Sequence, residues 1–359
     1  MSADVGRRRR ILYIDLAPGV GGSVISLYQV LKGLDRSRYE PHVILHAANR
    51  YAERLRALDI PVLTVSGGAA AGVAAPAAWD GLRAGRLAAW LRRGALRARA
   101  LHLVGFYLRQ WPALRRTAAE LAGLMRRVRP DLVHLNDVVC VSRAAIMAAR
   151  RVGAPAICHL RAMDRRNHYD RWLSRYLRGY ICISRAVDCH QRTLGGRVAP
   201  SWVVYNGLDV DAFVQDCDRV AARAEFGCGD DDLVVGCVGR LVAWKGQEVF
   251  LRAVAQVAPH YPRLCALLVG APETGEPEAG GDAYAQHLRA LAAELGLAER
   301  VVFTGFRSDV ARLLSGMDVM VHASTAPEPF GRVLIEAMAA GAAVIGTRAG
   351  AVPEIVIDG

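Results

Sequence analysis

Two cations follow a glycine turn in the second half of the sequence, and their placement suits the binding of an anion. Gly239 and Arg240 come directly after an apolar run at 233–238, and Lys245 stands just before a helical pattern that begins near residue 247. The backbone N–H groups at a helix N-terminus attract phosphate, and two positively charged side chains strengthen that attraction. The sequence therefore predicts a phosphate site built on Arg240 and Lys245. The alternative is that both are exposed loop cations without a ligand.

Lysine is rare in this chain, which singles out Lys245 independently of any motif. The chain has 46 basic residues, and the only lysines among them are Lys32 and Lys245. The composition, rich in arginine and alanine, is typical of a GC-rich genome. A lysine retained beside a glycine turn therefore favours a specific role over an incidental one.

Two carboxylates further along the chain form a second candidate constellation. Glu328 lies in a Pro-containing loop after an apolar run at 319–322, and Glu336 follows within a helical pattern that begins near Gly331. An ionised carboxylate only accepts hydrogen bonds, and its bonds to hydroxyl groups are strong. The pair is therefore suited to a polyhydroxylated ligand such as a sugar joined to a ribose. The alternative is that Glu328 caps the helix and Glu336 is solvated.

The elements that position these residues form two successive series of short apolar runs separated by helical patterns. This alternation is typical of βαβ units and parallel sheets. It predicts two doubly wound domains, at 1–210 and 211–359, with a linker between 207 and 232. Ligands of such sheets bind at the carboxyl ends of the strands, which is where both constellations lie. The predicted strands are 11–16, 42–46, 62–65, 132–135, 156–160, 180–183, 202–205, 233–238, 265–269, 301–304, 319–322 and 343–346.

A basic segment interrupts the first series. The stretch at 67–124 begins rich in Gly and Ala and continues as a basic helical pattern, and residues 80–129 contain twelve arginines against Asp80 and Glu120. One interpretation is a helical insertion whose apolar residues pack on the first domain. Another is a peripheral attachment to an anionic membrane surface. Nucleic acid is not expected as a partner, because no recognised binding module accompanies the arginines.

Composition excludes several classes of protein. With 359 residues, of which 53% are hydrophobic, the chain is expected to form about two packed domains rather than a disordered region. No apolar run reaches the roughly 18 residues of a membrane span, and the basic residues 7–10 precede too short a run for a signal peptide, so a cytoplasmic location is expected. The eight cysteines include no Cys-x-x-Cys pair, so neither a metal site nor a disulfide framework is expected.

Taken together, these motifs resemble family 4 of the retaining, nucleotide-sugar-dependent glycosyltransferases. The resemblance rests first on Gly239-Arg240-Leu241 with Lys245-Gly246, and on Glu328-x7-Glu336. It runs from about residue 11 to the last residue and leaves the basic insertion uncovered. Further matching stretches are Gly21-Gly22, Val204-Tyr-Asn206-Gly-Leu-Asp209, Phe303-Thr-Gly305-Phe and Gly350-Ala-Val-Pro353-Glu354.

The resemblance implies a GT-B fold, in which two Rossmann-like domains face each other across a cleft. The second domain would bind the nucleotide sugar and the first the acceptor, a glycan, a lipid-linked glycan or a small molecule. The residues that the resemblance assigns to the donor are Arg240 and Lys245 for the diphosphate, Glu328 with the backbone of Phe330 and Gly331 for the sugar, Glu336 for the ribose, and Gly22 for close approach of the first-domain loop.

The chemistry that these roles imply is cleavage of the bond between sugar and diphosphate through an oxocarbenium-like state. Negative charge grows on the leaving phosphate, where Arg240, Lys245 and the helix N-terminus would stabilise it. The reaction is expected to need neither a metal nor another cofactor, because none of the donor motifs contains an Asp-x-Asp pair. Retention of anomeric configuration follows from the resemblance alone.

The first domain departs from the family at the residue that often serves in acid–base chemistry. Many members have a histidine after the strand that here spans 156–160, and Arg161 takes that position, with His159 two residues earlier. Residues two apart on a strand share a face, so either side chain could point into the cleft. A histidine could shuttle a proton, whereas an arginine could only bind anions or orient the acceptor. A buried core histidine is the alternative for His159.

The resemblance implies transfer of a hexose in the synthesis of cell-surface polysaccharide or glycolipid. The basic segment favours a lipid-linked acceptor at the inner face of the membrane. Family members continue beyond the position of Gly359, so the second domain is expected to be incomplete. A non-catalytic GT-B scaffold or partner subunit, and a GT-B sugar-nucleotide epimerase, are the alternatives. A nicotinamide dehydrogenase is not expected, because Val24 occupies the third glycine position of a dinucleotide-binding loop.

Overall fold

The structure, a computed structural model, describes residues 7–17, 21–66, 110–195, 199–272 and 282–358. The chain divides into two compact units, the first comprising Met1–Ile183 and Val187–Val204 and the second comprising Ser184–Ala186 and Tyr205–Gly359. Apart from Ser184–Ala186, the second unit thus begins at Tyr205, a few residues before the predicted boundary at 210. Each unit is an α/β layer structure around its own parallel sheet, as the alternating pattern predicted.

The first unit is built on a seven-stranded parallel sheet in the order β3-β2-β1-β4-β5-β6-β7. Because the order reverses direction beside β1, the loops after β1 and β4 end next to each other. The strands are β1 Arg9–Asp15, β2 Tyr39–His46, β3 Val62–Val65, β4 Leu132–Leu135, β5 Ala156–Leu160, β6 Leu177–Cys182 and β7 Ser201–Val203. The helices described along this part of the chain are α1 Gly22–Lys32, α2 Ala52–Arg56, α3 Trp111–Val128, α4 Arg143–Val152, α5 His168–Ser174 and α6 Arg185–Thr193.

The second unit is built on a five-stranded parallel sheet in the order β10-β9-β8-β11-β12. Here the order reverses beside β8, so the loops after β8 and β11 are neighbours. The strands are β8 Leu233–Val238, β9 Leu264–Val269, β10 Val301–Gly305, β11 Val319–His322 and β12 Ala343–Gly346. Its described helices are α7 Val210–Gln215, α8 Arg219–Glu225, α9 Gln247–Val257, α10 Asp282–Glu294, α11 Val310–Gly316, α12 Arg332–Ala339 and α13 Val352–Ile355.

The polar stretch predicted to contain a linker is largely helical. It forms α7 and α8, which begin where the carboxylates of Asp209 and Asp218 accept hydrogen bonds from backbone N–H groups of Ala212 and Ala221. Aspartate at these positions satisfies N–H groups that a helix start leaves without partners. A polar composition therefore reflected helix caps rather than an irregular connection.

The basic segment is described only in part, since residues 67–109 lie outside the described ranges. The remainder forms α3, which has Pro112 in its first turn and buries an apolar face that includes Leu121 and Met125. Arg115, Arg116, Arg126 and Arg127 are exposed on the same helix. This part of the segment therefore packs on the first unit, as the insertion interpretation predicted, and also presents arginines to solvent.

Candidate functional site

The phosphate site predicted from the sequence lies at the carboxyl end of β8 in the second unit. After Val238 the chain passes through Gly239 and Arg240 and forms one turn of 3₁₀-helix at Ala243–Lys245. Gly246 then takes a left-handed conformation with φ of 73° and leads into α9. A Cβ atom on Gly246 would lie 1.9 Å from the carbonyl oxygen of Ala323, so only glycine allows this turn to approach the end of β11.

Two side chains hold the loop that carries the cations. Gln247 is 1% exposed, and its side-chain amide donates a hydrogen bond of 2.8 Å to the backbone oxygen of Arg240. Trp244 lies beneath Lys245, whose Nζ is 4.3 Å from the centre of the indole ring. A cation over an aromatic face is attracted by the ring quadrupole, so the Lys245 ammonium is held beside the start of α9.

Lys245 is brought together with Glu328 by the neighbouring ends of β8 and β11. Lys245 Nζ is 2.6 Å from Glu328 Oε2, and His322 Nε2 is 2.9 Å from the same oxygen. The hydroxyl of Ser324 is 3.4 Å from Oε2 and 3.2 Å from His322 Nε2. We call these four residues the Glu328 cluster. His322, Ser324 and Glu328 are each less than a tenth exposed, so the carboxylate is held by charge-assisted bonds away from bulk water.

The surroundings of Glu328 keep its carboxyl ionised. Burial alone would raise its pKa, but the hydrogen bond from His322 and the positive charge of Lys245 outweigh burial and lower the pKa to about 2. At neutral pH the cluster therefore presents a carboxylate that can only accept hydrogen bonds. That is the property expected of a residue that binds sugar hydroxyls.

The backbone around Glu328 is fixed by a second loop of the same unit. Glu328 forms an isolated parallel β-bridge with Gly350, and the N–H of Ala351 donates to the Glu328 carbonyl at 2.8 Å. Gly350 has a φ of 63°, and a Cβ on it would lie 2.2 Å from that carbonyl oxygen. Ser184, which belongs to the second unit, donates from its hydroxyl to the Pro329 carbonyl at 2.7 Å. The carboxylate is thus carried on a loop with little freedom to move.

The remaining residues assigned to the donor by resemblance lie just after Glu328. Phe330 is buried, and its ring is 6.2 Å from that of Tyr205. Gly331 begins α12 with a φ of 87°, and no side chain caps that helix, so Glu328 is not its cap. Glu336 accepts a hydrogen bond of 2.9 Å from Arg332 one turn earlier. The alternative of a capping Glu328 is therefore wrong, and the alternative of a freely solvated Glu336 is not what the structure shows.

In the first unit, a polar network joins the ends of three adjacent strands. Asp15 at the end of β1 is fully buried and accepts a hydrogen bond of 2.8 Å from the Asn136 side-chain nitrogen. Asn136, after β4, accepts two from Arg161, which follows β5, at 2.9 and 2.7 Å. Asn136 also donates to the carbonyl of Ser23 in the first turn of α1, which begins at Gly22. The network therefore connects Arg161 to the first turn of α1, which contains Gly22.

His159 lies in the interior. It is 3% exposed, and its Nδ1 is 3.1 Å from His134 Nε2. Burial, with the positive charge of Arg161, lowers the pKa of His134 to about 3 and holds the pKa of His159 well below its usual range. Both rings are therefore neutral at physiological pH. This geometry fits the core-histidine interpretation of His159, while Arg161 occupies the strand end where many family members place a histidine.

Several residues of these networks were not predicted. They are His322, Ser324, Gln247, Asp15 and Asn136. Four of them stand at or just after the end of a predicted strand, which is the one signal that would have found them. Within the described ranges no group of three or more His, Cys, Asp or Glu side chains is arranged to hold a metal ion, and no helix there is long and apolar enough to cross a membrane.

Two family models match the chain and meet close to the division between the units. The model described as Glycosyltransferase Family 4 matches residues 20–212, and the one described as Glycosyl transferases group 1 matches residues 218–359. The crystal structure of Anabaena HepE in complex with UDP-glucose is 27% identical with a TM-score of 0.72, covering 97% of this chain and 83% of that one. This likeness confirms the GT-B fold class.

Curated relatives point to the same family. The D-inositol 3-phosphate glycosyltransferase of Mycobacterium sp. (strain KMS) is 30% identical over 275 residues, which are 74% of this chain and 57% of the relative. The enzyme of that name from Mycolicibacterium smegmatis is 28% identical over 98% of this chain and 78% of its own length. This chain thus spans little more than half of the first relative's length. Because the first family model covers more than half of the chain, the protein belongs to Glycosyltransferase Family 4.

Proposed function

We propose that this chain transfers a hexose from a nucleotide-diphosphate sugar to an acceptor with retention of anomeric configuration. The observation that carries the proposal is the meeting of Lys245 and Glu328 at the ends of β8 and β11, beside the N-terminus of α9. A phosphate-binding cation and a sugar-binding carboxylate are thereby held side by side. HepE, a relative of the same fold, was crystallised with UDP-glucose, which supports a nucleotide sugar as the donor class.

In the proposed reaction the bond between the anomeric carbon and the diphosphate breaks, and the electron pair leaves with the phosphate. The oxygen of an acceptor hydroxyl bonds to the anomeric carbon, and the proton of that hydroxyl passes to the released diphosphate. Lys245, Arg240 and the first turn of α9 stabilise the negative charge that develops there. Glu328 accepts hydrogen bonds from the sugar hydroxyls, and Glu336 from the ribose. Because Lys245, Arg240 and the first turn of α9 supply positive charge at the leaving phosphate, we propose that the reaction needs no metal ion or other cofactor.

Arg161 is proposed to act on the acceptor. The guanidinium cannot serve as a base, because arginine does not lose its proton in proteins. Held by Asn136 and through it by Asp15, it can bind an anionic or hydroxyl group of the acceptor and orient it. A glycan or lipid-linked acceptor in the synthesis of cell-surface polysaccharide or glycolipid fits such a role.

The function is tested by incubating the protein with UDP-glucose, GDP-mannose and ADP-glucose and measuring release of the nucleoside diphosphate with and without EDTA. We expect turnover of one donor, unaffected by EDTA and reduced at least about 100-fold in Lys245→Ala, a loss of about 2.7 kcal/mol of transition-state stabilisation. Arg252→Ala, which removes an exposed cation from α9, is the matched control. Nucleotide binding without turnover would instead support the scaffold, the second candidate, which the arginine at position 161 favours. Conversion of the donor sugar without an acceptor would support the epimerase.

We also propose that the protein works at an anionic membrane surface, peripherally on its inner face. The exposed charged side chains of α3, α4 and α5 are almost all arginine, and Glu120 is the one exposed acid among the described residues of these helices. Trp172 on α5 is also exposed, and Arg150 lies 5.1 Å from its ring. Arginine with interfacial tryptophan is the composition that binds anionic lipid surfaces.

Co-sedimentation with vesicles tests the membrane proposal. At low salt we expect the protein to pellet with phosphatidylglycerol vesicles and not with phosphatidylcholine vesicles, since each arginine near such a surface contributes about 1 kcal/mol. The variant Arg115→Glu with Arg116→Glu should pellet several-fold less. Arg50→Glu with Arg252→Glu changes the charge equally at exposed positions outside these helices and is the control. Failure of the unmodified protein to pellet with phosphatidylglycerol would remove this proposal.

A further inference from the structure

Glu328 and Lys245 are assigned to different parts of the donor, yet they contact each other directly. The 2.6 Å between Lys245 Nζ and Glu328 Oε2 is the distance of a full ion pair. The Glu328 side chain is 8% exposed and the Lys245 side chain 18%, so bulk water screens the pair poorly. A phosphate that binds Lys245 therefore has to share the ammonium with a carboxylate already in contact with it.

The two partners differ in how far they can move. Glu328 is held by His322, Ser324 and the bridge to Gly350, all within the second unit. Lys245 has a flexible four-carbon side chain whose ammonium rests on the Trp244 ring. A ligand that binds Lys245 would accordingly draw the ammonium toward itself while the carboxylate stays in place. The negative charge of Glu328 then remains close to the bound phosphates.

We propose that Glu328 competes with phosphate for Lys245 and thereby selects the intact nucleotide sugar over the nucleoside diphosphate product. This inference rests on the proposed function and adds a specificity to it. Only the intact donor offers hexose hydroxyl groups, which donate hydrogen bonds to the Glu328 carboxylate and compensate the loosened ion pair. The free diphosphate offers none.

The charges of the two ligands also favour binding of the nucleotide sugar over binding of the nucleoside diphosphate. A terminal phosphate carries a charge of about −1.5 to −2 at pH 7. The same phosphate esterified by a sugar carries a single negative charge. The fixed carboxylate therefore repels the product more than the donor, and release of the product after transfer is favoured. A neutral side chain of the same shape at position 328 should reverse this preference for the nucleotide sugar.

Calorimetric titration of the Glu328→Gln variant tests the inference, with the nucleoside diphosphate and the matching nucleotide sugar as ligands in phosphate-free buffer. We expect the variant to bind the diphosphate about tenfold more tightly than the unmodified protein, and to bind the nucleotide sugar no more tightly. Glu328→Ala is a second variant, in case the glutamine variant does not fold. Glu248→Gln is the matched control, because Glu248 lies in the first turn of α9 and pairs with His287 rather than with Lys245.

The outcomes separate this inference from the function on which it rests. If the unmodified protein binds a nucleotide and the Glu328 variants bind the diphosphate equally or more weakly, the selection by Glu328 is refuted while the donor site stands. If only the Glu328 variants bind the diphosphate, the result supports the proposal that Glu328 competes with phosphate for Lys245. If neither the protein nor the variants bind any nucleotide, both the inference and the proposed function are overturned.

Discussion

Asp137, the residue next to Asn136 of the strand-end network, carries a carboxyl whose ionisation opposes folding. Burial, together with the negative charges of Asp15 and Asp164, raises its pKa to about 7, and a hydrogen bond from the Val138 N–H only partly offsets this. The ordinary pKa of an aspartate is about 3.9. Between these two values the unfolded chain gives up the proton that the folded chain keeps. The contribution of Asp137 to the free energy of unfolding is therefore fully present below about pH 4 and is lost as the pH rises toward 7.

We expect Asp137→Asn to stabilise the protein in a pH-dependent way. The asparagine oxygen can still accept the hydrogen bond from Val138 but never ionises, so the variant avoids the loss between pH 4 and 7. Its melting temperature should exceed that of the unmodified protein by at least about 2 °C at pH 8, and this gap should shrink at pH 5. Thermal unfolding at both pH values measures this. An equal difference in melting temperature at the two pH values would contradict the raised pKa of Asp137. The same pH-dependent difference in the exposed Asp211→Asn control would also contradict it.

At the residue scale, part of the site was predictable from the sequence. Lys245 and Glu328 were predicted from rarity, spacing and resemblance, and the structure places them in contact. His322 is the last residue of the predicted strand 319–322, and its contact with Glu328 was not predicted because that contact depends on the path of the loop between them. Arg161 and His159 could not be ranked, since spacing on a strand does not report how deep each side chain lies. In the structure His159 is buried and Arg161 is half-buried.

At the scale of elements, the loop that carries Glu328 depends on a second loop for its position. Gly350 meets the Glu328 backbone so closely that a Cβ would overlap it, and the left-handed φ of Gly350 adds strain for any other residue. Gly341 offers a comparison within the same unit. It has a similar φ of 85° but nothing within 4 Å of where its Cβ would lie.

We expect Gly350→Ala to destabilise the second unit more than Gly341→Ala does. Gly341→Ala should cost about 1–2 kcal/mol, the strain of a left-handed alanine, whereas Gly350→Ala should cost about 3 kcal/mol or more because the overlap adds to that strain. Donor turnover should fall only in Gly350→Ala, since only that substitution displaces Glu328. Denaturant unfolding and turnover assays measure the two effects. A similar loss of stability and turnover in both variants would show that the bridge does not position Glu328.

The strands were predictable for a physical reason. Parallel strands that are buried on both faces appear as short, continuous apolar runs, and all twelve predicted strands are present. The observed ends of the strands differ from the predicted ends where backbone pairing, rather than hydropathy, determines how far a strand extends. Residues Tyr39–Pro41 extend β2 because they pair with Arg9–Ile11 of β1, and nothing in their own composition indicates a strand. The helices α7 and α8 were missed because their capping aspartates made the stretch look like a linker.

At the scale of the whole molecule, the two units carry different kinds of chemistry. The second unit holds the Lys245 ammonium and the ionised Glu328 carboxylate at neighbouring strand ends. The first holds Arg161 on a buried network, together with arginine-rich helices. This division agrees with a donor bound by the second unit and an acceptor bound by the first, as proposed above. The family assignment and the contact between Lys245 and Glu328 therefore both agree with the proposal that Lys245 binds the phosphates of a nucleotide.

Calorimetric titration of the protein with UDP, GDP and ADP, beside Lys245→Ala and the Arg252→Ala control, tests that claim most directly. We predict saturable binding of one nucleotide, weakened at least tenfold in Lys245→Ala because a charge-assisted bond to phosphate is lost, and unchanged in Arg252→Ala. The nucleotide that binds would identify the base of the donor. Absence of binding by the folded protein, or equal binding by Lys245→Ala, would contradict the account.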